Sequence, residues 1–195
     1  MIGKTFAHYV AVAIGSELPQ TQTTEAERAL LMQHLPGRKR IVEIGVFEGF
    51  TTRVLAEASD PDGTIYGVDP FFTGRLGISW GFMIAKSYNR KYLASGKLKF
   101  VRSFSTGVGD KVPETVDFIF IDADHSLAGI TADWTFWSER IESGGIIALH
   151  DTLLTPDRLQ SAEFGSHQYF RSHIQHDSRF RIVGKAGSLS ILSRR

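Results

Sequence analysis

Several polar residues stand in or at the ends of short apolar runs, and their types are those that bind or activate a polar ligand. Glu43 lies in the run from Ile41 to Ile44 and is followed by Gly45. Asp69 closes the run from Thr64 to Val68, Asp122 the run from Val116 to Ile121, and His150 with Asp151 the run from Ile146 to Leu149. Burying several carboxylates at strand ends without a ligand, a metal or hydrogen-bond partners is costly, so the pattern points to one polar site along a single edge. Gly45 and Gly49 allow a tight turn and close approach of a ligand to the backbone. An ordinary turn asks for the same glycines, but Asp69 sharpens the reading, because an acid there can accept both hydroxyl hydrogens of a ribose. The segment is not a dinucleotide fingerprint, since Glu43 stands where the first glycine belongs, and it lacks the Gly-Lys-Ser/Thr of a P-loop. His125, three residues after Asp122, suits a general base, because histidine titrates near neutral pH and a hydroxyl nucleophile must lose its proton. Capping its helix or contacting substrate would explain it as well. His34, His167, His173 and His176 read as surface or packing residues.

The elements that must position these residues are legible as alternation. Apolar runs at Ile41–Ile44, Thr64–Val68, Leu98–Val101, Val116–Ile121 and Ile146–Leu149 are short and rich in β-branched or aromatic residues, as strands buried on both faces are. Helical patterns lie between them. One runs from Thr24 to Leu35 and stops at Pro36-Gly37; a second covers Thr51 to Ala58. A third starts near Ser126, with a core stripe of Leu127, Ile130, Trp134, Trp137 and Ile141, while Asp133, Glu139 and Arg140 fall off the stripe. Thr155 and Pro156 predict an N-cap and first turn for a helix reaching about Ile174. Phe180–Val183 and Leu189–Leu192 flank a glycine-containing loop, which predicts a hairpin whose last strand is antiparallel to the rest. The expected fold is α/β: a doubly wound, mostly parallel seven-stranded sheet with helices on both faces. The aromatic-rich segment from Phe71 to Tyr92 follows Asp69 directly, so part of it could cover the pocket.

Composition narrows the alternatives. The chain of 195 residues is long enough for one sizeable core. A net charge of +1 with no long Lys/Arg run argues against a nucleic-acid partner. The absence of cysteine excludes disulfides and thiolate chemistry and fits a cytoplasmic protein. The apolar stretch Tyr9–Ile14 is too short to span a bilayer and is read as a helix packed on the domain, so no membrane partner is expected.

The stretches Val42–Gly49, Gly67–Pro70, Phe118–His125 and Gly144–Asp151, in this order and spacing, resemble the successive motifs of the class I S-adenosylmethionine-dependent methyltransferases. The likeness runs from about Thr24 to the C-terminus. Within that class the chain resembles the small-molecule O-methyltransferases of the catechol and macrolide-sugar type. The resemblance implies residues 1–195 as one methyltransferase domain, with 1–37 as a helical segment packed on it. It assigns Gly45 and the adjoining loop through Gly49 and Thr51 to the methionine part of the cofactor, with Glu43 supporting that loop and Asp122 beside it. Asp69 matches the ribose-binding acid. Phe104 and Ser105 match the segment that brackets the adenine, although relatives often carry an acid where Phe104 stands.

The resemblance further implies a divalent metal, Mg²⁺ first, on Asp122, His150 and Asp151. Relatives usually place an acid at His150, and a histidine there makes Mn²⁺, Fe²⁺ or Zn²⁺ conceivable. His125 and Asp122 are the implied catalytic residues, acting on a small-molecule hydroxyl acceptor; a homodimer is a further expectation. Two other readings fit the same residues: a metal-dependent hydrolase or oxygenase using these acids and histidines, and a non-catalytic module that binds the cofactor. A nicotinamide oxidoreductase ranks last.

Overall fold

The short β-branched runs do pair as strands. In a computed structural model, which describes residues 2–74, 77–156 and 163–195 with side chains from Thr5 onward, they form one seven-stranded sheet. The strands are β1 (Arg40–Ile44), β2 (Thr64–Asp69), β3 (Leu98–Arg102), β4 (Val116–Ile121), β5 (Ile141–Leu149), β6 (Phe180–Ala186) and β7 (Leu189–Arg194), in spatial order β3-β2-β1-β4-β5-β7-β6. All neighbours from β3 through β5 are parallel, and β7 inserts antiparallel between β5 and β6. Strand order reverses between β1 and β4, so their carboxyl ends open the crevice where doubly wound sheets take ligands.

Alternation along the strands divides the core between two faces. Val42 and Ile44 of β1 and Ile119 and Ile121 of β4 face α6 (Leu127–Trp137), whose Ile130, Trp134 and Trp137 are buried with them. Ile41, Phe118 and Phe120 face the other way and pack with Leu31 of α2 (Glu25–His34) and Leu55 of α3 (Phe50–Ala58). Glu43, with the parity of Ile41, is thereby buried on the α3 side, where the Thr52 hydroxyl donates to it. Helix α2 begins with a complete capping box: Thr24 accepts from the Glu27 backbone, and Glu27 accepts from the Thr24 backbone. Ser126 caps α6 by accepting from Gly129 N at 3.0 Å.

The first helix, α1 (Ile2–Ile14), lies on α4 (Trp80–Tyr88), with the Phe6 and Tyr9 rings 5.7 and 5.9 Å from Trp80. A five-residue α5 (Arg90–Ala94) precedes β3. No helix among the described residues is long and apolar enough to cross a membrane.

Three local expectations are corrected. Ile141 does not extend the α6 stripe; it opens β5, which is nine residues long rather than the run Ile146–Leu149. Gly144 (φ +76°) and Gly145 interrupt the apolar pattern, yet the sheet absorbs them in a register shift against β4 between Val116 and Phe118. Leu127, placed on the stripe, is 53% exposed, because it sits at the first helical position, ahead of the turn that contacts the sheet. The tail helix is shorter than expected: α7 is Gly165–Ser172, followed by a 3₁₀ turn at Ile174–His176, and part of its predicted start, residues 157–162, lies outside the described residues.

Trp137 is fully buried where α6 meets the sheet. Trp137→Ala is expected to cost about 3–5 kcal/mol through lost burial and the cavity left behind. Urea unfolding should show a lower midpoint at unchanged slope, and a loss under about 1 kcal/mol would contradict this packing.

Candidate active site

The turn after β1 is set by a close backbone approach. Gly45 has φ +87°, its N–H donates to Val68 O at 3.0 Å, and a Cβ there would lie 2.0 Å from the Asp122 carbonyl oxygen. Glycine is required both for the dihedral and for the space. The next two N–H groups, of Val46 and Phe47, donate to Asp69 Oδ2 at 3.0 and 3.2 Å, and Phe71 N donates to Oδ1 at 2.6 Å. Asp69 is therefore held at three points and welds the β1 and β2 loops together. A carboxylate offers about four acceptor sites, so roughly one remains for a ligand hydroxyl. Phe47 (φ 55°) and Phe71 (φ 47°), on either side of this carboxylate, occupy the left-handed region that bulky residues avoid.

A cleft of about 780 Å³ crosses the carboxyl ends of β3, β2, β1 and β4. Of the residues singled out in the sequence, Gly45, Asp69, Phe104, Ser105 and Asp122 line it. Thr51 instead lines a smaller adjoining cavity of about 140 Å³, with Gln20, Gln22 and His125; Gly45, Phe47 and Asp122 belong to both walls. Gly49 lines neither: it packs under α4, where a Cβ would meet Asn89 Nδ2 at 2.7 Å. Glu43 lies beneath the loop, fully buried. Burial raises its pKa well above the carboxylate range, and the charges of Asp122 and Asp69 add to this against the Thr52 hydrogen bond. These effects favour the protonated acid of Glu43, whose second carboxyl oxygen has no hydrogen-bond partner among the described residues.

Asp133 was missed. Its place off the apolar stripe predicts solvent, but it is buried, lines the cleft and accepts a hydrogen bond from Ser105 Oγ. The signal available was only its position one turn from Ile130 on a helix that follows a strand-end acid. A larger, open groove of about 1170 Å³ runs along the outer face of α6 past Leu127, Thr131 and Thr135. Of the charged groups at its rim, Glu139 pairs with Arg179 and Arg140 lies over the Phe136 ring.

Beyond Asp122 the strand-end acids and histidines converge. Ligand atoms of Asp122, His125 and Asp151 all lie within 4.8 Å of one another. His125 Nε2 is 3.6 Å from Asp151 Oδ2 and 4.0 Å from Asp122 Oδ1, and its ring stacks on Phe164 at 5.1 Å. Asp151 is itself at φ 52°. His150 stands behind this group: Nδ1 is 3.2 Å from Asp122 Oδ1 and 3.5 Å from Asp151 Oδ2, while Nε2 is 3.4 Å from Glu27 Oε2. The contacts are close ion pairs without hydrogen-bond alignment. Burial alone would strip the His150 proton, but Asp122, Asp151 and Glu27 outweigh it, and the pKa is pushed up to about 11. Burial likewise opposes ionisation of Glu27, yet His150 and the Thr24 N–H lower its pKa below the carboxylate range.

The signs of the two shifts define a pH window. The raised pKa of His150 gives stability that is complete below the unfolded value near 6.5 and is lost as pH rises toward about 11. The depressed pKa of Glu27 gives stability that is complete above the ordinary carboxylate range and is lost in acid. Both are at full strength only between about pH 5 and 6.5. Urea titrations from pH 6 to 10 should show wild-type stability falling with a slope that His150→Gln lacks; parallel profiles would contradict the buried imidazolium.

A family model described as a methyltransferase domain matches residues 42–152. Similar solved structures include an O-methyltransferase from Bacillus cereus in complex with SAH, at 17% identity and TM-score 0.62, covering 98% of this chain and 91% of that one. Another is the O-methyltransferase TomG from Streptomyces achromogenes, involved in tomaymycin synthesis and in complex with SAM, at 16% identity and TM-score 0.65, covering 97% and 89%. A third is the SAH-bound Podospora anserina methyltransferase PaMTH1, at 13% identity and TM-score 0.66, covering 98% and 87%. No curated protein matches the chain in sequence. With the glycine turn, the strand-end acids and the reversal of strand order all inside the matched region, the chain belongs to the methyltransferase-domain family.

Proposed function

We propose that this protein transfers a methyl group from S-adenosylmethionine to a hydroxyl oxygen of a small molecule. The observation that carries the reading is the continuity of the two hollows: a cleft with Asp69 at its middle strand shares the wall of Gly45, Phe47 and Asp122 with a cavity containing His125. The fold it shares with the SAM-bound TomG and the SAH-bound Bacillus cereus enzyme supports the choice of cofactor. The ribose would lie on Asp69 and the sulfonium near Gly45 and Asp122, the side nearest His125.

The chemistry balances within these residues. The acceptor oxygen attacks the methyl carbon, the carbon–sulfur bond breaks, adenosylhomocysteine leaves neutral, and the hydroxyl proton passes to His125 Nε2. Asp151 Oδ2 lies 3.6 Å from the Nε2 that receives this proton. Stacking on Phe164 fixes the ring plane. Holding nucleophile, carbon and sulfur in line is itself worth several kcal/mol of barrier.

A divalent ion fits the donor set, because the carboxylates of Asp122 and Asp151 converge and oxygen ligands suit Mg²⁺ or Mn²⁺. Asp122 and Asp151 would hold it; when bound, such an ion lowers the pKa of an acceptor hydroxyl. The same Nε2 of His125 cannot both ligate an ion and take a proton, so the base role requires His125 to stay off the metal. His150 favours a second, metal-free reading, since its ring already faces both carboxylates from the buried side.

His125→Ala should lower kcat by about 10²–10⁴ while leaving adenosylhomocysteine affinity intact; near-normal turnover would exclude the base role. Turnover that survives exhaustive chelation selects the metal-free reading. Mn²⁺ affinity that disappears in His125→Ala would make the histidine a ligand instead. Asp69→Ala should weaken cofactor binding by roughly tenfold or more, the worth of a hydrogen bond to a charged acceptor, and an unchanged Kd would contradict the ribose assignment.

A further inference from the structure

The proposed methyl transfer leaves Asp133 without a task. It is 3% exposed and lines the cleft, and Ser105 Oγ donates to its Oδ1. Ser105 follows β3, at the opposite end of the cleft from the Asp122–His125–Asp151 group after β4 and β5. Two exposed rings stand at the same end, Phe72 and Phe104, edge to face at 6.0 Å. This end thus offers apolar surface for a flat ring and one buried carboxyl for its edge. Burial raises the pKa of Asp133 and the charge of Asp124 adds to this, against the Ser105 hydrogen bond, a shift in the direction of the protonated acid.

Resting on the adenosylmethionine reading, we propose that Asp133 recognises the 6-amino/N1 edge of the cofactor's adenine. Its carbonyl oxygen accepts from the 6-amino group and its acid hydroxyl donates to N1. Ser105, donating to Oδ1, keeps the acid proton on Oδ2, so the carboxyl does not freely exchange its donor and acceptor ends. A 6-oxo purine presents the reverse pattern, an acceptor at position 6 and a donor at N1, and would leave buried polar groups opposed. Asp133 is therefore the specificity-determining residue of the base, reaching it from α6 while Phe104 fills the position before Ser105 with an aromatic ring.

Calorimetric titration with S-adenosylhomocysteine and its deaminated analogue S-inosylhomocysteine tests this. Wild type should prefer the adenosyl compound by a factor on the order of 10–100. In Asp133→Ala, and in Asp133→Val, which better preserves the side-chain volume, the preference should fall below about threefold with both compounds still binding. Asp133→Asn carries a carbonyl acceptor and an amide donor in the same geometry and should hold the wild-type ratio to within about threefold. A wild-type ratio retained in the alanine or valine variant overturns the proposal, as does equal binding of both compounds by wild type, and either result leaves the cofactor reading standing. Failure of adenosylhomocysteine to bind wild type at all overturns both.

Discussion

A buried imidazole with carboxylates at both ends holds the working edge of this protein together. Taking His150, Glu27, Asp122 and Asp151 out of water is expensive, and such a group is stable only if its members face each other closely. Here the contacts, 3.2 to 3.5 Å, join parts of the chain far apart in sequence. Glu27 caps α2 and also accepts from Ser188 N and Oγ at 2.7 and 2.8 Å in the β6–β7 hairpin. Gly187, at φ +52°, permits this, since a Cβ there would lie 2.6 Å from Glu27 Oε1. An early helix, the terminal hairpin and the ends of β4 and β5 are thereby locked by one set of charges. Removing one partner would leave uncompensated charge beneath Asp122 and Asp151, so stability and site geometry depend on the same atoms.

At the β1 and β2 loops the fixing principle is different. Asp69 accepts three backbone N–H groups, and the flanking Phe47 and Phe71 keep unfavourable positive φ values. Asp151 holds a third such dihedral at the other side of the site. Each costs of order 1–3 kcal/mol and persists only where surrounding contacts over-determine the backbone. All three lie at the walls of the cleft or the acid–histidine group. That distribution fits a site whose donors and acceptors are oriented before ligand arrives, so little reorganisation accompanies reaction.

What the sequence disclosed follows from the range of each interaction. The strands and the polar residues at their carboxyl ends were legible because burial on both faces of a parallel sheet leaves uninterrupted apolar runs, and Asp69, Asp122 and Asp151 stood out against them. Gly45 was legible from its place after a strand. The start of β5 was not, because Gly144 and Gly145 break the apolar pattern and only the pairing with β4 shows that the sheet tolerates them. Glu27 carries the Thr24-x-x-Glu27 spacing of a capping box, a local signal; its contacts with Ser188 and His150 span more than a hundred residues and leave no local mark. Asp133 was misread for a related reason. A helical stripe predicts which side faces the sheet, but a cleft flanking the helix gives its polar side an interior as well.

The two hollows together constrain where reaction can occur. In the proposed reaction a methyl group bound in the larger cleft would reach an acceptor in the smaller cavity across the wall they share, at Gly45, Phe47, Asp122 and Ala123. Gly45 has no side chain and its Cα already abuts the Asp122 carbonyl, so the passage there is bounded by backbone and its width is set by the β1–β4 pairing. Phe47, half exposed and conformationally constrained, closes one side with apolar surface, while Asp122 closes the other with charge. An attacking oxygen would thus lie beside Asp122 and His125, and a sulfonium would lie at Gly45 between the Phe47 ring and the same Asp122 carboxylate. That polarity, imposed by one crevice in the sheet, favours moving positive charge away from sulfur and a proton toward His125.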